Sequence, residues 1–186
     1  STLLEIIMGL LIPTDGKLIV DGEDINSLVN AHKVLSWRKS ISYVPQTIYL
    51  TDSTISENIA FGVPRDQIDM DLVRNCSRQA HLDAFIESSL DGYSTFVGER
   101  GVRLSGGQRQ RIGIARALYR RNKIIAFDEA TSALDTKTEL SVMNSIEKFK
   151  NDLTIIIIAH RLSTVEYCDK IINIEDGHLI KDQKLI

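Results

Sequence analysis

Apolar side chains occupy nearly every position of the opening segment STLLEIIMGLL, and a helix that is apolar on every face must be buried. The pattern predicts a buried helix over residues 1–11, stopped by Pro13 and the turn TDG at 14–16. KLIVDGEDI reads as a strand with a turn at Gly22, and SISYVPQ as a second strand halted by Pro45. From about residue 53 to 103 the period changes. Val73, Cys76 and Ala80 recur at three and four, followed by Leu82, Phe85, Ile86 and Leu90, which predicts an inserted helical lobe. Beyond it, GGQRQRIGIARALYRR predicts a helix, KIIAF a strand, and the next segment an amphipathic helix whose Thr136 and Glu139 carry the capping-box signature. TIIIIA is a further strand, followed by a short helix and the hairpin-like pair KIINIED and HLIKD around Gly177. Uninterrupted apolar strands alternating with helices predict an α/β fold with a largely parallel sheet.

Composition narrows the function classes. A chain of 186 residues with 43% hydrophobic content is long enough for one domain with a substantial core. Its 25 acidic residues against 22 Lys plus Arg leave a net charge of −3, which lacks the basic footprint of nucleic-acid binding. The Arg side chains at 109, 111, 116, 120 and 121 are expected to form a solvated helix face with some structural ion pairs. The longest apolar runs are strand-sized and far short of a spanning helix. Cys76 and Cys168 lie far apart without metal-ligand spacing and read as reduced packing residues. The amino end has neither a basic n-region nor a cleavage site, so it does not read as a signal peptide. His32, His81 and His178 show no partner by spacing.

Chemistry concentrates where strands end. KIIAF runs into Asp128 and Glu129, at the edge where open parallel sheets bind ligands. Consecutive strand residues face opposite sides, so the two carboxylates are expected to serve different purposes. Taken alone, such a pair is two exposed acids at a strand end. TIIIIA, however, delivers His160 to the same predicted edge, so two strands bring three catalytic-type side chains together. LSGGQRQR at 104–111 reads as a helix start, with Ser105 able to cap and the Gly106 and Gly107 backbone able to approach a ligand closely. Its unpaired N–H groups and positive dipole end suit a phosphate.

These residues resemble the nucleotide-binding domain of ATP-binding-cassette (ABC) proteins along essentially the whole chain. LSGGQ is similar to the family signature, IIAFDE to the Walker B strand, SALD at 132–135 to the D-loop, Gln46 in YVPQ to the Q-loop, and His160 to the switch histidine. STLL is similar to the end of the phosphate-binding loop, so the resemblance implies that the preceding Gly-rich turn and Lys lie upstream of Ser1. The 186 residues alone are then expected to bind ATP poorly. The implied fold is a P-loop NTPase core with a largely parallel sheet and an inserted helical subdomain. Its expected divisions are a first part of the core at 1–53, the helical subdomain at 54–103, and the signature helix with the rest of the core at 104–186.

The resemblance also implies roles. Ser1, Asp128 and Gln46 would hold Mg²⁺, and Thr2 would sit beside the phosphates. Glu129 would be the general base on the attacking water, Gln46 would touch that water, and His160 the γ-phosphate. Ser105, Gly106, Gly107 and Gln108 would close on ATP bound by a second nucleotide-binding domain, in a homo- or heterodimer, with Asp135 communicating across that interface. VGERG at 97–101 and STISENIAFG at 53–62 resemble exporters, in which the first contacts transmembrane domains that are fused upstream or separate. That places the chain at the cytoplasmic face of a membrane, such as the inner or plasma membrane of a bacterium, with no nucleic-acid partner. The alternatives are a soluble family member acting on ribosomes or DNA, and a non-catalytic half-site partner.

Overall fold

The three-stranded parallel sheet that organises the molecule has β4, Ile124–Asp128, at its centre, between β3, Ile41–Val44, and β5, Thr154–Ile158. The computed structural model describes residues 2–25, 31–131, 133–147, 153–159 and 168–184. Alternation along β4 sends its side chains into two separate apolar clusters. Ile125 and Phe127 join Val44 and the buried faces of the helices in the larger one. Ala126 joins Ile41, Leu4 and Met8 in the smaller one. β5 repeats the pattern, with Ile155 and Ile157 packed on the first cluster and Ile156 and Ile158 on the second. Burial on both faces explains the uninterrupted apolar run of these strands.

The predicted opening helix is shorter and less buried than its composition suggests. α1 spans Thr2–Ile7 and ends at Gly9, whose φ of +71° lets Leu10 N–H reach back to Glu5 O, well before Pro13. Leu4 and Met8 are buried, whereas Leu3, Leu10, Leu11 and Ile12 are exposed. What anchors α1 is a helix the pattern did not predict, α2 at Ala31–Ser40. Trp37 Nε1 donates to Ile7 O at 2.7 Å, and the Arg38 guanidinium donates to Gly9 O. Those two side chains satisfy carbonyls that the end of α1 leaves open. KLIVDGEDI becomes a minimal hairpin of β1, Ile19–Val20, and β2, Glu23–Asp24, turning through Asp21 and Gly22.

The region predicted to be helical contains α3, Ile55–Ile59, α4, Met70–Gln79, and α5, Asp83–Ser88. Ile55, Ile59, Val73, Cys76 and Ile86 from these helices, with Leu82 just before α5, enter the same core as Ile112, Ile114 and Phe127. Leu90, predicted among the apolar positions, is instead fully exposed beyond the end of α5. α6, Gly106–Tyr119, is the central strut. Its Ile112, Ile114, Ala115 and Ala117 are buried, and Gly113 allows an approach so close that a Cβ there would collide with Ile48. α7 spans Thr136–Glu147, and β6, Lys170–Glu175, pairs antiparallel with β7, His178–Lys184, as the hairpin around Gly177 predicted. Both cysteines are free thiols, and burial pushes the Cys76 thiol up to about 11.

The capping box predicted for α7 does not form. Asp135 caps the helix instead, accepting from Thr138 N–H at 3.0 Å and from Thr138 Oγ1 at 2.6 Å. Glu139 is 1% exposed and accepts a 2.7 Å hydrogen bond from Thr131 Oγ1. A box needs the glutamate at the helix surface near the cap backbone, and here the core has claimed it.

The arginine face also departs from expectation. Arg109 Nη1 donates to Leu104 O at 2.6 Å, Arg111 Nη1 to His81 O at 2.6 Å, and Arg116 to Asn58 O and Tyr49 O at 2.8 and 2.9 Å. Arg116 also lies 4.9 Å over the Phe61 ring. Three of the five arginines therefore tie loop and helix carbonyls to α6, where salt bridges and solvent were expected. Burial lowers the Arg116 guanidinium to about 10, with help from Arg120. His81 likewise has partners: its Nε2 lies 2.9 Å from Ser141 O and 3.1 Å from Ser145 Oγ, tying the end of α4 to α7.

Candidate active site

Register places Gln46, Asp128 and Glu129 at one edge. Tyr43 pairs with Ala126 and Val44 with Phe127, so the chain leaves β3 toward Gln46 where β4 ends at Asp128. Glu129 follows in the left-handed region with φ of +49°, while its N–H continues the ladder to Ile158 O at 3.0 Å. The backbone turns sharply there at an energetic cost on the order of 1 kcal/mol. The two carboxylates consequently engage different partners. Gln46 Nε2 donates to Glu129 Oε2 at 2.9 Å, and Tyr43 OH donates to Asp128 Oδ2 at 3.1 Å. The two acids thus have different hydrogen-bond partners, and the left-handed turn contributes to this as well as strand alternation.

Asp128 shares its strand face with Ala126, which packs against Leu4 and Met8 of the α1 region. Tyr43 is on the same face. Partial burial first, then the hydrogen bond and negative charge of Asp128, raise its phenol to about 12, so it remains a neutral donor near neutral pH. Gln46 is positioned from α6: Gln110, 2% exposed, donates through Nε2 to Pro45 O at 3.4 Å, and Ser42 Oγ donates to Ala117 O at 3.0 Å. Sequence reading did not single out Tyr43 or Gln110. For Gln110, the available signal was an amide on the otherwise apolar face of α6.

The second group of predicted residues sits at the start of α6. Ser105 Oγ accepts from Gln108 N–H at 3.2 Å, and Gln108 Oε1 accepts from Ser105 N–H at 2.8 Å, a complete capping box. Helix geometry leaves the first-turn N–H groups of Gly106 and Gly107 for an external acceptor. A Cβ on Gly107 would stand 3.4 Å from Ala133 O and 3.6 Å from Leu134 Cδ2, so the segment after β4 packs directly on this turn. Asp135 lies exposed at the end of that segment, its carboxyl held below the usual range chiefly by the Thr138 hydroxyl. Thr2 opens α1 and is exposed. Ser1, Ser132 and His160 lie outside the described residues.

The edge also bears on a metal. Among the described residues no three His, Cys, Asp or Glu side chains cluster as a dedicated cage. What the edge offers is the Asp128 carboxylate and the Gln46 amide, with the Glu129 carboxylate hydrogen-bonded to that amide, a set of oxygen donors. That matches Mg²⁺, which is usually held by one or two carboxylates, water and substrate phosphates.

A parallel sheet with acids and an amide at its carboxyl edge is a ligand-binding α/β core, and the start of α6 is suited to an anion. A sequence profile described as ABC transporter matches residues 1–132, and the chain belongs to the ABC transporter family, a family of nucleotide-binding proteins. It is 42% identical over 179 residues to ABC transporter ATM1 of Toxoplasma gondii, covering 96% of this chain and 15% of that protein. It is 40% identical over 181 residues to an ATP-dependent lipid A-core flippase of Chromohalobacter salexigens, covering 97% of this chain and 30% of the flippase. A bacterial Atm1-family ABC exporter solved with ATP bound superposes with a TM-score of 0.88 at 37% identity, over 98% of this chain and 31% of that one. The chain thus spans at most about a third of the length of these relatives. No helix among the described residues is long and apolar enough to cross a membrane.

Proposed function

We propose that the chain is the ATP-binding and hydrolysing part of an ABC exporter, acting at the cytoplasmic face of a membrane and coupling hydrolysis to export or flipping of a substrate. The observation that carries this reading is the Gln46–Glu129 hydrogen bond beside Asp128 at the carboxyl edge of β4. Glu129 acts as general base on the attacking water, and Gln46 orients that water through the same amide that reaches Glu129. Asp128, Gln46 and Ser1 hold Mg²⁺, which when bound neutralises phosphate charge. His160 contacts the γ-phosphate, and Thr2 lies beside the phosphates. This is catalysis by positioning and charge stabilisation, as phosphoryl transfer requires.

Ser105, Gly106, Gly107 and Gln108 close on ATP held by a second nucleotide-binding domain, and Asp135 faces that interface. The packing of Ala133 and Leu134 on Gly107 supports a link between the two groups within one chain. Residues 54–103 form the lobe that docks transmembrane domains, between core segments 1–53 and 104–186. Exposed Phe96 and Val102, which flank the VGERG loop, support that docking.

The test is ATP hydrolysis by the intact protein in membranes, compared with its Glu129→Gln form. Turnover should fall at least about 100-fold, the usual contribution of a general base, while ATP binding persists. Turnover at the parent rate overturns the role of Glu129, and inactivity of both forms overturns the catalytic reading.

A further inference from the structure

Gly113 lies in the interior of α6, where glycine is a poorer helix former than alanine, so its place there has to be explained by packing. The neighbour is Ile48. A Cβ on Gly113 would stand 2.3 Å from Ile48 Cδ1, 2.8 Å from Cγ1 and 3.3 Å from Cγ2, where non-bonded carbons rest at roughly 3.5–4.0 Å. Turning the end of the Ile48 side chain would move Cδ1 alone and leave Cγ1 in collision. A β-branched side chain is stiff about χ1, and Ile48 is held in the larger core cluster. Relief would therefore fall on a strained rotamer or on the backbone that carries Ile48.

That backbone is the segment of Gln46. Gln46 and Thr47 are exposed, and Ile48 is the first buried side chain after them. On one side of Gln46, Gln110 donates to Pro45 O at 3.4 Å; on the other, beyond Ile48, Arg116 donates to Tyr49 O at 2.9 Å. Gln110, Gly113 and Arg116 recur every three residues along one face of α6, so a single stripe meets residues 45–49 at three successive points. The outer two are hydrogen bonds, which tolerate some stretch. The middle one is a close-packed contact with no slack.

We propose that Gly113 is a positioning residue: by admitting Ile48 against the α6 backbone it sets how deeply residues 45–49 seat, and so aims the Gln46 amide at Glu129. This role rests on the reading of Gln46 given above and adds what holds that side chain in place. A misplacement of about 1 Å caused far from the chemistry can cost about 100-fold in rate, so the smaller shift forced by one methyl group should cost about tenfold.

The experiment measures kcat and KM for ATP hydrolysis by the intact protein in membranes, per folded molecule, with thermal unfolding of each variant. Gly113→Ala should lower kcat about tenfold and leave KM for ATP near the parent value. Adding Ile48→Val, which removes the carbon in closest contact, should return most of the rate. In a Gln46→Ala background Gly113→Ala should cost nothing further, because effects that run through one residue are not additive. Gly113→Ala at the parent rate, a loss that Ile48→Val does not recover, or a loss that multiplies with that of Gln46→Ala overturns the inference. Should Gly113→Ala fail to fold, Ile48→Ala decides, since it empties the seat and keeps the glycine: a lowered kcat sustains the inference and the parent rate overturns it. If Gln46→Ala itself hydrolyses ATP at the parent rate, the reading of Gln46 fails and this role falls with it. If Gln46→Ala is slow while Gly113→Ala and Ile48→Ala match the parent, the Gly113 role alone fails.

Discussion

The starts of α6 and α7 carry the same sequence pattern and obey different physics. Both begin with a hydroxyl residue followed three positions later by Gln or Glu: Ser105 with Gln108, and Thr136 with Glu139. At α6 the pattern becomes a reciprocal capping box on an exposed surface. At α7 the glutamate lies in the core on Thr131, and the cap passes one residue upstream to Asp135. A local motif holds where nothing else competes for its side chains. Where a neighbouring strand exit presents a buried hydroxyl, the tertiary contact takes the carboxylate.

The largest test of this contrast is Glu139→Ala. It removes a buried acceptor, strands the Thr131 hydroxyl and leaves a void, which should destabilise by about 2–3 kcal/mol. Thermal unfolding of the intact protein should show the loss, and Glu139→Gln, which keeps an acceptor, should recover part of it. An Ala variant as stable as the parent would mean that the buried contact contributes little and that the two helix starts differ only in appearance. Ser105→Ala should cost about 1 kcal/mol, the usual value of an exposed cap, and Thr136→Ala should stay within about 0.5 kcal/mol because that hydroxyl is not the cap.

Acid titration sharpens the same comparison. The folded Asp135 carboxyl is depressed by Thr138, so its stabilisation is complete above the unfolded carboxylate value of about 3.9 and fades as pH falls through the lower folded value. Asp135→Asn should flatten that part of the acid-unfolding curve. Thr136→Ala should leave it unchanged, and if the two variants behave alike, Asp135 is not the cap.

Legibility in the sequence followed the range of the interaction. Asp128, Glu129 and the segment 105–108 could be found because each sits at a chain landmark, a strand end or a Ser-Gly-Gly helix start, whereas Gln46 was found through the resemblance of YVPQ to the Q-loop. Tyr43 and Gln110 could not. Their importance comes from β3 lying beside β4 and from α6 lying under Pro45, adjacencies that no local window contains. The helix α2 escaped for a similar reason. Its Trp37 and Arg38 are valuable for the carbonyls of α1 that they satisfy, about 30 residues earlier in the chain. The arginines of α6 read as a solvated face because spacing reports which side of a helix they share and says nothing of what covers that side.

By itself the order of residues determined the alternation of apolar strands and helices, the parallel sheet, the carboxylates at its edge and the Ser105 cap. Each follows from side-chain periodicity and backbone hydrogen bonding within a few residues. Only the tertiary structure decided that Glu129 turns left-handed toward Gln46, that Tyr43 grips one oxygen of Asp128, and that Glu139 leaves its helix cap for the core. The first two depend on which strand ends the sheet register brings side by side, and the last on which polar groups meet once water is excluded. An unpaired buried donor or acceptor costs more than a surface cap returns, so packing overrides local preference there.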